Sequence, residues 1–269
     1  MKSSQFKYLL GLLLLPLLVW TGLFFFQEKL IFKPTQLASS YAYTFDIVFE
    51  DVHIPVAENI RLHGILFKAD SSKGVVLYFH GNKGKLDEIG KGSDFYLKEG
   101  LDVLYINYRG YGLSEGKIRE EEDLLNDGQA VYDYLADRYG EENILLTGIS
   151  IGSGIAAYLA SQNKPKALLM IAPYASFRSL LQEKMKWVPP FIWKYTLPSD
   201  EFLADVNCPV SIFHGEEDQM IPFHHAQALK NKYPEITLIS FNGYGHTDFL
   251  KEEIFRQAYR KALTLEKLD

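Results

Sequence analysis

The sequence predicts an α/β protein, a mostly parallel sheet with helices on both faces, preceded by one membrane-spanning helix. Three observations carry this. From about residue 41 to the end, short apolar runs alternate with helical stretches. One strand-to-helix junction reads Gly148-Ile149-Ser150-Ile151-Gly152, a serine on a turn too tight for side chains at its glycine neighbours. Ahead of all this, 20 consecutive uncharged residues run from Tyr8 to Gln27.

As a helix, that first stretch reaches about 30 Å, the thickness of a bilayer's hydrocarbon core. Pro16 falls mid-span, which membrane helices tolerate better than soluble ones. A cleaved signal peptide fits less well. Its apolar region is shorter, with small residues just after it, whereas this run ends in Phe24-Phe25-Phe26-Gln27 and the first small cluster is Ala38-Ser39-Ser40. Residues 1–30 are therefore read as an uncleaved anchor. Lys2, Lys7 and the terminal amine precede the span and Lys29 and Lys33 follow it, a near tie. The amine leans it toward a cytoplasmic N-terminus and an extracytoplasmic catalytic domain.

The remaining elements follow in order. Tyr43 to Ile54 and Ile60 to Lys68 read as two strands, then Val75 to Phe79 as a buried one, a helix through Phe95 and Leu97, and a strand at Leu101 to Tyr105. Glu120 to Tyr139 sets Leu124, Val131 and Leu135 among acids, an amphipathic helix. The strand at Ile144, its helix, and strands near Leu168 and at Val210 to Phe213 come next. A helix near Ala226, a strand at Ile236 to Phe241 and a helix from about Phe249 complete residues 41–269 as one domain. Between about 174 and 206 the rhythm breaks into Phe177, Trp187, Phe191, Trp193 and Tyr195. These aromatics cover a sheet edge or form a small cap lining an apolar pocket.

Composition excludes some functions. The chain has 47% hydrophobic and 23% charged residues and a net charge of -6, with no basic stripe for nucleic acid. Its single cysteine, Cys208, rules out intrachain disulfides and suits a small buried filler. His224 and His225 are adjacent on a helix start and are expected to diverge rather than chelate a metal. Oligomeric state is not legible.

Rival motifs fail on context. Gly112-Leu113-Ser114-Glu115-Gly116 also reads G-x-S-x-G, but it follows a polar turn, so Ser114 is read as a loop residue. Gly152-Ser153-Gly154-Ile155-Ala156-Ala157 fits a dinucleotide fingerprint. The strand after it ends in Ala172-Pro173, without the required acid.

A serine nucleophile needs a base, and the base needs an acid. Of seven histidines, His246 sits in a glycine-rich loop, Gly243 to Asp248, after the last strand, where an open α/β sheet gathers its chemistry. The acid belongs on the loop after Phe213, where Glu216, Glu217 and Asp218 compete.

Together these residues resemble the α/β-hydrolase superfamily. Four elements match in order: Phe79-His80-Gly81-Asn82, Gly148 to Gly152, His214-Gly215-Glu216-Glu217-Asp218, and Gly245-His246. The stretch Asn107-Tyr108-Arg109-Gly110-Tyr111-Gly112 with Ser114 looks like a loop of single-span, membrane-anchored members, depalmitoylase-like and serine-peptidase-like. Lys83 departs from the alanine commoner there. The resemblance implies the α/β-hydrolase fold, picks Asp218 among the acids, and puts an oxyanion hole at the backbone N–H groups of Asn82 and Ile151. The expected activity is hydrolysis of an acyl ester or thioester through Ser150, His246 and Asp218, with no cofactor or metal. A peptidase of the same fold, or a non-catalytic tethered binding protein, are the alternatives. The expected partners are a small-molecule or acylated substrate and the membrane, and removal of residues 1–30 is expected to spare hydrolysis of soluble esters.

Overall fold

A computed structural model describes residues 3–266 of the chain. Met1, Lys2 and residues 267–269 lie outside the described residues, Lys2's topological charge with them. Helix α1 spans Ser3–Ile31 with Pro16 inside it, and Leu14–Ile31 is long and apolar enough to cross a membrane.

The strands are β1 (Phe49–Ala57), β2 (Ile60–Phe67), β3 (Val75–Phe79), β4 (Asp102–Ile106), β5 (Ile144–Ile149), β6 (Ala167–Ile171), β7 (Val210–Gly215) and β8 (Thr237–Phe241). They form one sheet ordered β1-β2-β4-β3-β5-β6-β7-β8. The pairs β1–β2 and β2–β4 are antiparallel and the rest are parallel. The helices after α1 are α2 (Leu86–Ile89), α3 (Ser93–Lys98), α4 (Glu121–Tyr139), α5 (Ile151–Gln162), α6 (Phe177–Lys184), α7 (Ser199–Phe202), α8 (His224–Lys232) and α9 (Glu253–Thr264).

Two cores sandwich the sheet, because alternate strand residues point to opposite faces. Val75, Leu77 and Phe79 of β3 join one core, with Val131 and Leu135 of α4 and Ile155 and Leu159 of α5. Val76 points to the other, with Tyr96 of α3 and Phe255 and Tyr259 of α9. The mostly parallel, doubly covered sheet is thus as expected from the sequence.

Two boundaries differ. The first strand begins at Phe49, not Tyr43. Tyr43 instead stacks on His63 at 5.1 Å and Phe45 meets Phe67 edge-on at 5.0 Å, so the alternation there packs rings across β2 without pairing backbone. The last helix begins at Glu253 because Asp248–Lys251 is a 3₁₀ turn that stacks Phe249 on Phe241 at 4.5 Å.

Between β6 and β7 lie α6, α7 and 3₁₀ turns at Pro190–Ile192 and Leu203–Asp205, a small helical cap. Its aromatics divide. Phe177, Trp193 and Tyr195 are buried, whereas Trp187 and Phe191 are 58% and 75% exposed. The last two therefore do not line an enclosed apolar pocket; each precedes in sequence a residue, Val188 or Ile192, that packs where the cap meets α1. There Trp20 and Leu23 pack on Val188, Ile192 and Trp193. Gln27 is fully buried; its Nε2 donates to Ile192 O at 3.0 Å and its Oε1 accepts from Lys194 N at 3.0 Å. The Lys194 ammonium pairs with Glu28 at 2.8 Å.

Candidate active site

The turn between β5 and α5 holds Ser150 at φ 54°, ψ −121°, a left-handed backbone that few non-glycine residues adopt. Its neighbours explain the glycines. A Cβ on Gly148 would lie 2.3 Å from Gly152 O, and one on Gly152 would lie 2.4 Å from Phe79 O. Both obstacles are rigid backbone. Ser150 N donates to Ile171 O at 2.9 Å, tying the turn to β6. The side chain is half-exposed, and its hydroxyl makes no hydrogen bond among the described residues.

His246 follows β8 and is 16% exposed at its side chain. Its Nδ1 lies 2.6 Å from Asp218 Oδ2, which gives the ring an Nδ1–H donated to the carboxylate and leaves Nε2 free as a base. Asp218 Oδ1 accepts from the amides of Met220 and Ile221 at 2.7 and 2.8 Å. Burial alone would push this carboxyl up. Hydrogen bonds from His214, His246 and the Ile221 amide outweigh it and hold the carboxyl well below the usual carboxylate range. Of the competing acids, Glu216 is exposed and accepts from Ser240 at 2.6 Å, and Glu217 is exposed. Only Asp218 among the three meets His246.

The loop after β3 runs beside the serine turn, with a Cβ on Gly81 coming 3.6 Å from that of Ser150. Neither the Asn82 nor the Ile151 amide donates to an acceptor among the described residues. Two free N–H groups, one at a helix N-terminus, flank the serine. The loop is held from outside: Tyr108 donates to His80 O at 2.6 Å and Tyr111 to Asn82 O at 2.8 Å. The end of α1 reaches it too, since Lys33 N donates to Asn82 O at 3.1 Å and Asn82 Nδ2 to Ile31 O at 3.2 Å.

The rivals are placed elsewhere. Ser114 is buried, accepts from His63 N at 2.8 Å and donates to Asn107 O at 2.9 Å, a loop fastener. Ser153 lies within α5 and donates to Ser150 O at 2.6 Å. Cys208 is half-buried, and burial pushes its thiol up to about 11. One expectation is corrected: His224 and His225 do not diverge. Their rings stack at 4.6 Å and both face Glu183, because they stand at the very start of α8, where α6 passes over them. His225 Nδ1 accepts from Ala175 N at 3.3 Å, which keeps its proton on Nε2, toward Glu183. With Nδ1 accepting and burial lowering its pKa, His225 is a neutral imidazole whose Nε2–H points at the Glu183 carboxylate 3.5 Å away, and its one lone pair is already taken by the Ala175 amide.

Sequence reasoning missed His214. It is fully buried, and its Nε2 lies 2.9 Å from Ile221 O and 3.2 Å from Asp218 Oδ2. The signal was the spacing of four residues to Asp218 across a turn that must fold back on its own strand.

Comparison with known proteins agrees with this topology. The profile of the family described as serine aminopeptidase, S33, matches residues 70–201. The chain is 26% identical over 253 residues to alpha/beta hydrolase domain-containing protein WAV2 of Arabidopsis thaliana, covering 83% of this chain and 82% of the relative. It is 27% identical over 187 residues to the lysophosphatidylserine lipase ABHD12 of Mus musculus, covering 60% of this chain but only 46%, about half, of the lipase. The Pyrococcus furiosus esterase Pf2001 has the same fold, with a TM-score of 0.69 at 20% identity over 87% of this chain and 99% of that one. The chain belongs to the α/β-hydrolase superfamily and is a hydrolase of its serine type.

Proposed function

We propose that this protein is a membrane-anchored esterase or thioesterase working through Ser150, His246 and Asp218. Residues 1–30 serve as the anchor, residues 41–269 as the catalytic domain and about 174–206 as its cap. The reading rests chiefly on the His246–Asp218 hydrogen bond of 2.6 Å, together with a strained serine turn at the end of β5. His246 Nε2 takes the proton as Ser150 Oγ attacks the acyl carbon, and Asp218 stabilises the imidazolium through Nδ1–H. The free amides of Asn82 and Ile151 receive the developing oxyanion, each contributing about 3 kcal/mol. His246 then protonates the leaving group, and water, activated by the same base, releases the acyl group from the serine. No metal or organic cofactor enters these steps.

The lysophosphatidylserine lipase relative supports an acyl ester, as does an anchor that holds the enzyme at a lipid surface, while the serine aminopeptidase profile makes a peptidase the alternative. The catalytic domain then lies on the extracytoplasmic side, a placement that protease accessibility in oriented vesicles tests. The substrate class is tested by p-nitrophenyl esters of graded length alongside aminoacyl and peptidyl amides. Faster hydrolysis of esters, rising with chain length, is expected. A clear preference for the amides makes this a peptidase, and no turnover of either, with no labelling of Ser150 by a fluorophosphonate, makes it a binding protein.

A further inference from the structure

We propose that the tip of the cap, residues 186–193, is a second membrane contact, seated in the bilayer beside α1. The inference rests on the reading that α1 spans a bilayer.

The argument is one of depth. A helix needs the whole stretch from Tyr8 to Gln27, at 1.5 Å per residue, to cross about 30 Å of hydrocarbon. Gln27 then marks the boundary on the domain side, and its amide is spent on the cap backbone rather than on water. Leu23 lies about 6 Å and Trp20 about 10 Å below that boundary. Both pack directly on Val188, Ile192 and Trp193. The cap surface they touch is therefore carried below the boundary as well.

The chemistry of the tip agrees with that depth. Phe191 and Trp187 are among the most exposed large apolar side chains of the catalytic domain, and each precedes in sequence a residue packed against α1, Ile192 and Val188. On α1 itself Phe24, Phe25 and Phe26 are exposed as well, with Lys194 of the cap over the Phe24 ring at 5.1 Å. In water these exposed apolar side chains on both sides of the seam are unfavourably hydrated; in a bilayer they are solvated. Of the three tryptophans of the chain, Trp20 and Trp193 meet in this junction and Trp187 stands exposed next to its Val188, the side chain that bilayer interfaces favour. Exposed Lys184 and Lys186 on the cap and Lys29 and Lys33 past the span sit where headgroup phosphates are reached. The cap also touches the acid loop, since Lys184 Nζ donates to Gln219 O at 2.7 Å. The catalytic loops thus stand next to lipid, not at the end of a free tether.

The test uses the full, unaltered chain in phosphatidylcholine vesicles carrying a photoactivated diazirine in mid-acyl chain. Trypsin cuts after Lys7, Lys29, Lys186 and Lys194, so the span and the cap tip come off as separate peptides, 8–29 and 187–194. Label in both, several-fold above peptides from Glu253–Thr264, is expected. Label in 8–29 alone overturns the cap contact while leaving the anchor standing. Label in neither overturns the anchor reading and the cap contact together. As a second measurement, a Trp20→Phe, Trp193→Phe variant keeps Trp187 as its single tryptophan. Its emission should shift to shorter wavelength in vesicles and be quenched by brominated lipid more than by aqueous acrylamide. The reverse order of quenching counts against the proposal.

Discussion

Gln27→Leu removes the amide that joins the anchor helix to the cap while keeping most of its volume. In the wild type, Gln27 Nε2 satisfies the carbonyl of Ile192 and Gln27 Oε1 satisfies the amide of Lys194, both at 3.0 Å in a fully buried setting. Leucine leaves both backbone groups without partners. A buried unsatisfied group costs about 1–3 kcal/mol, so two cost about 2–6 kcal/mol. For a chain of this size each kcal/mol lowers Tm by about 2–4 °C, which predicts a fall of at least about 4 °C in detergent. Limited proteolysis should show new cleavage between Trp187 and Lys194 well below Tm, because the loss falls on the cap seam. Gln27→Glu keeps the acceptor for Lys194 but sets a buried carboxylate oxygen against Ile192 O, and at neutral pH should be at least as destabilising as Gln27→Leu. A Gln27→Leu protein as stable as the wild type, with an equally protected cap, refutes the reading that α1 and the cap form one packed unit.

Three further outcomes follow from the geometry. A fluorophosphonate should label the wild type and Ser114→Ala but not Ser150→Ala, and Ser114→Ala should lose about 2–6 kcal/mol of stability by orphaning His63 N–H and Asn107 C=O. Asp218→Asn should cut kcat by about four orders of magnitude and Glu217→Gln by little, with His214→Phe between them because it removes a donor from the carboxylate; equal losses for Asp218→Asn and Glu217→Gln would falsify the choice of acid. His80 is buried, and burial lowers its pKa to about 4, so the unfolded chain takes up the proton first as pH falls. The resulting stability is complete above about pH 6.5 and drains away down to pH 4 at up to about 1.4 kcal/mol per unit, about 3 kcal/mol in all, a decline that denaturation at stepped pH should show weakened in His80→Asn.

The alternation of strands and helices was legible because each buried strand is a short, continuous apolar run and each helix an amphipathic one. The order of the reactive loops was legible for the same reason: Ser150, Asp218 and His246 each follow a strand that reads clearly. What failed were features set by partners distant in sequence. Tyr43 to Val48 carries an alternating pattern but finds no strand to pair with, so its rings are used and its backbone is not. The stacking of His224 on His225 depends on Glu183 arriving from α6, which no local spacing reveals. Phe191 and Trp187 look from sequence like pocket lining, and only the fold of the cap, which turns Val188, Ile192 and Trp193 inward against α1, shows that they lie on the outer surface. Choosing Asp218 needed likeness to known hydrolases, since three adjacent acids are equivalent in composition and differ only in which one the turn buries.

The relation of anchor to site also changes what a shortened chain can report. A cut after residue 30 reads from sequence as harmless, because the apolar span has ended. In the fold, Ile31 and Phe32 belong to the main core, and Asn82 is gripped by Ile31 O and Lys33 N at the loop whose free amide we assign to the oxyanion. That grip survives such a cut only if the new N-terminus keeps its path, now held by the packing of Ile31 and Phe32 and the backbone bonds of Lys33, Thr35 and Leu37 alone. The helical turn preceding it is gone, with the Gln27 and Glu28 bonds to the cap. An oxyanion donor misplaced by a few tenths of an ångström loses much of its value, since its benefit lies in being fixed before charge develops. Loss of activity in such a chain therefore speaks to positioning as much as to membrane attachment. The two separate in a chain that keeps α1 but is assayed on a soluble ester in detergent: there the membrane is gone, the grip on Asn82 is not, and turnover isolates what the helix contributes to the site itself.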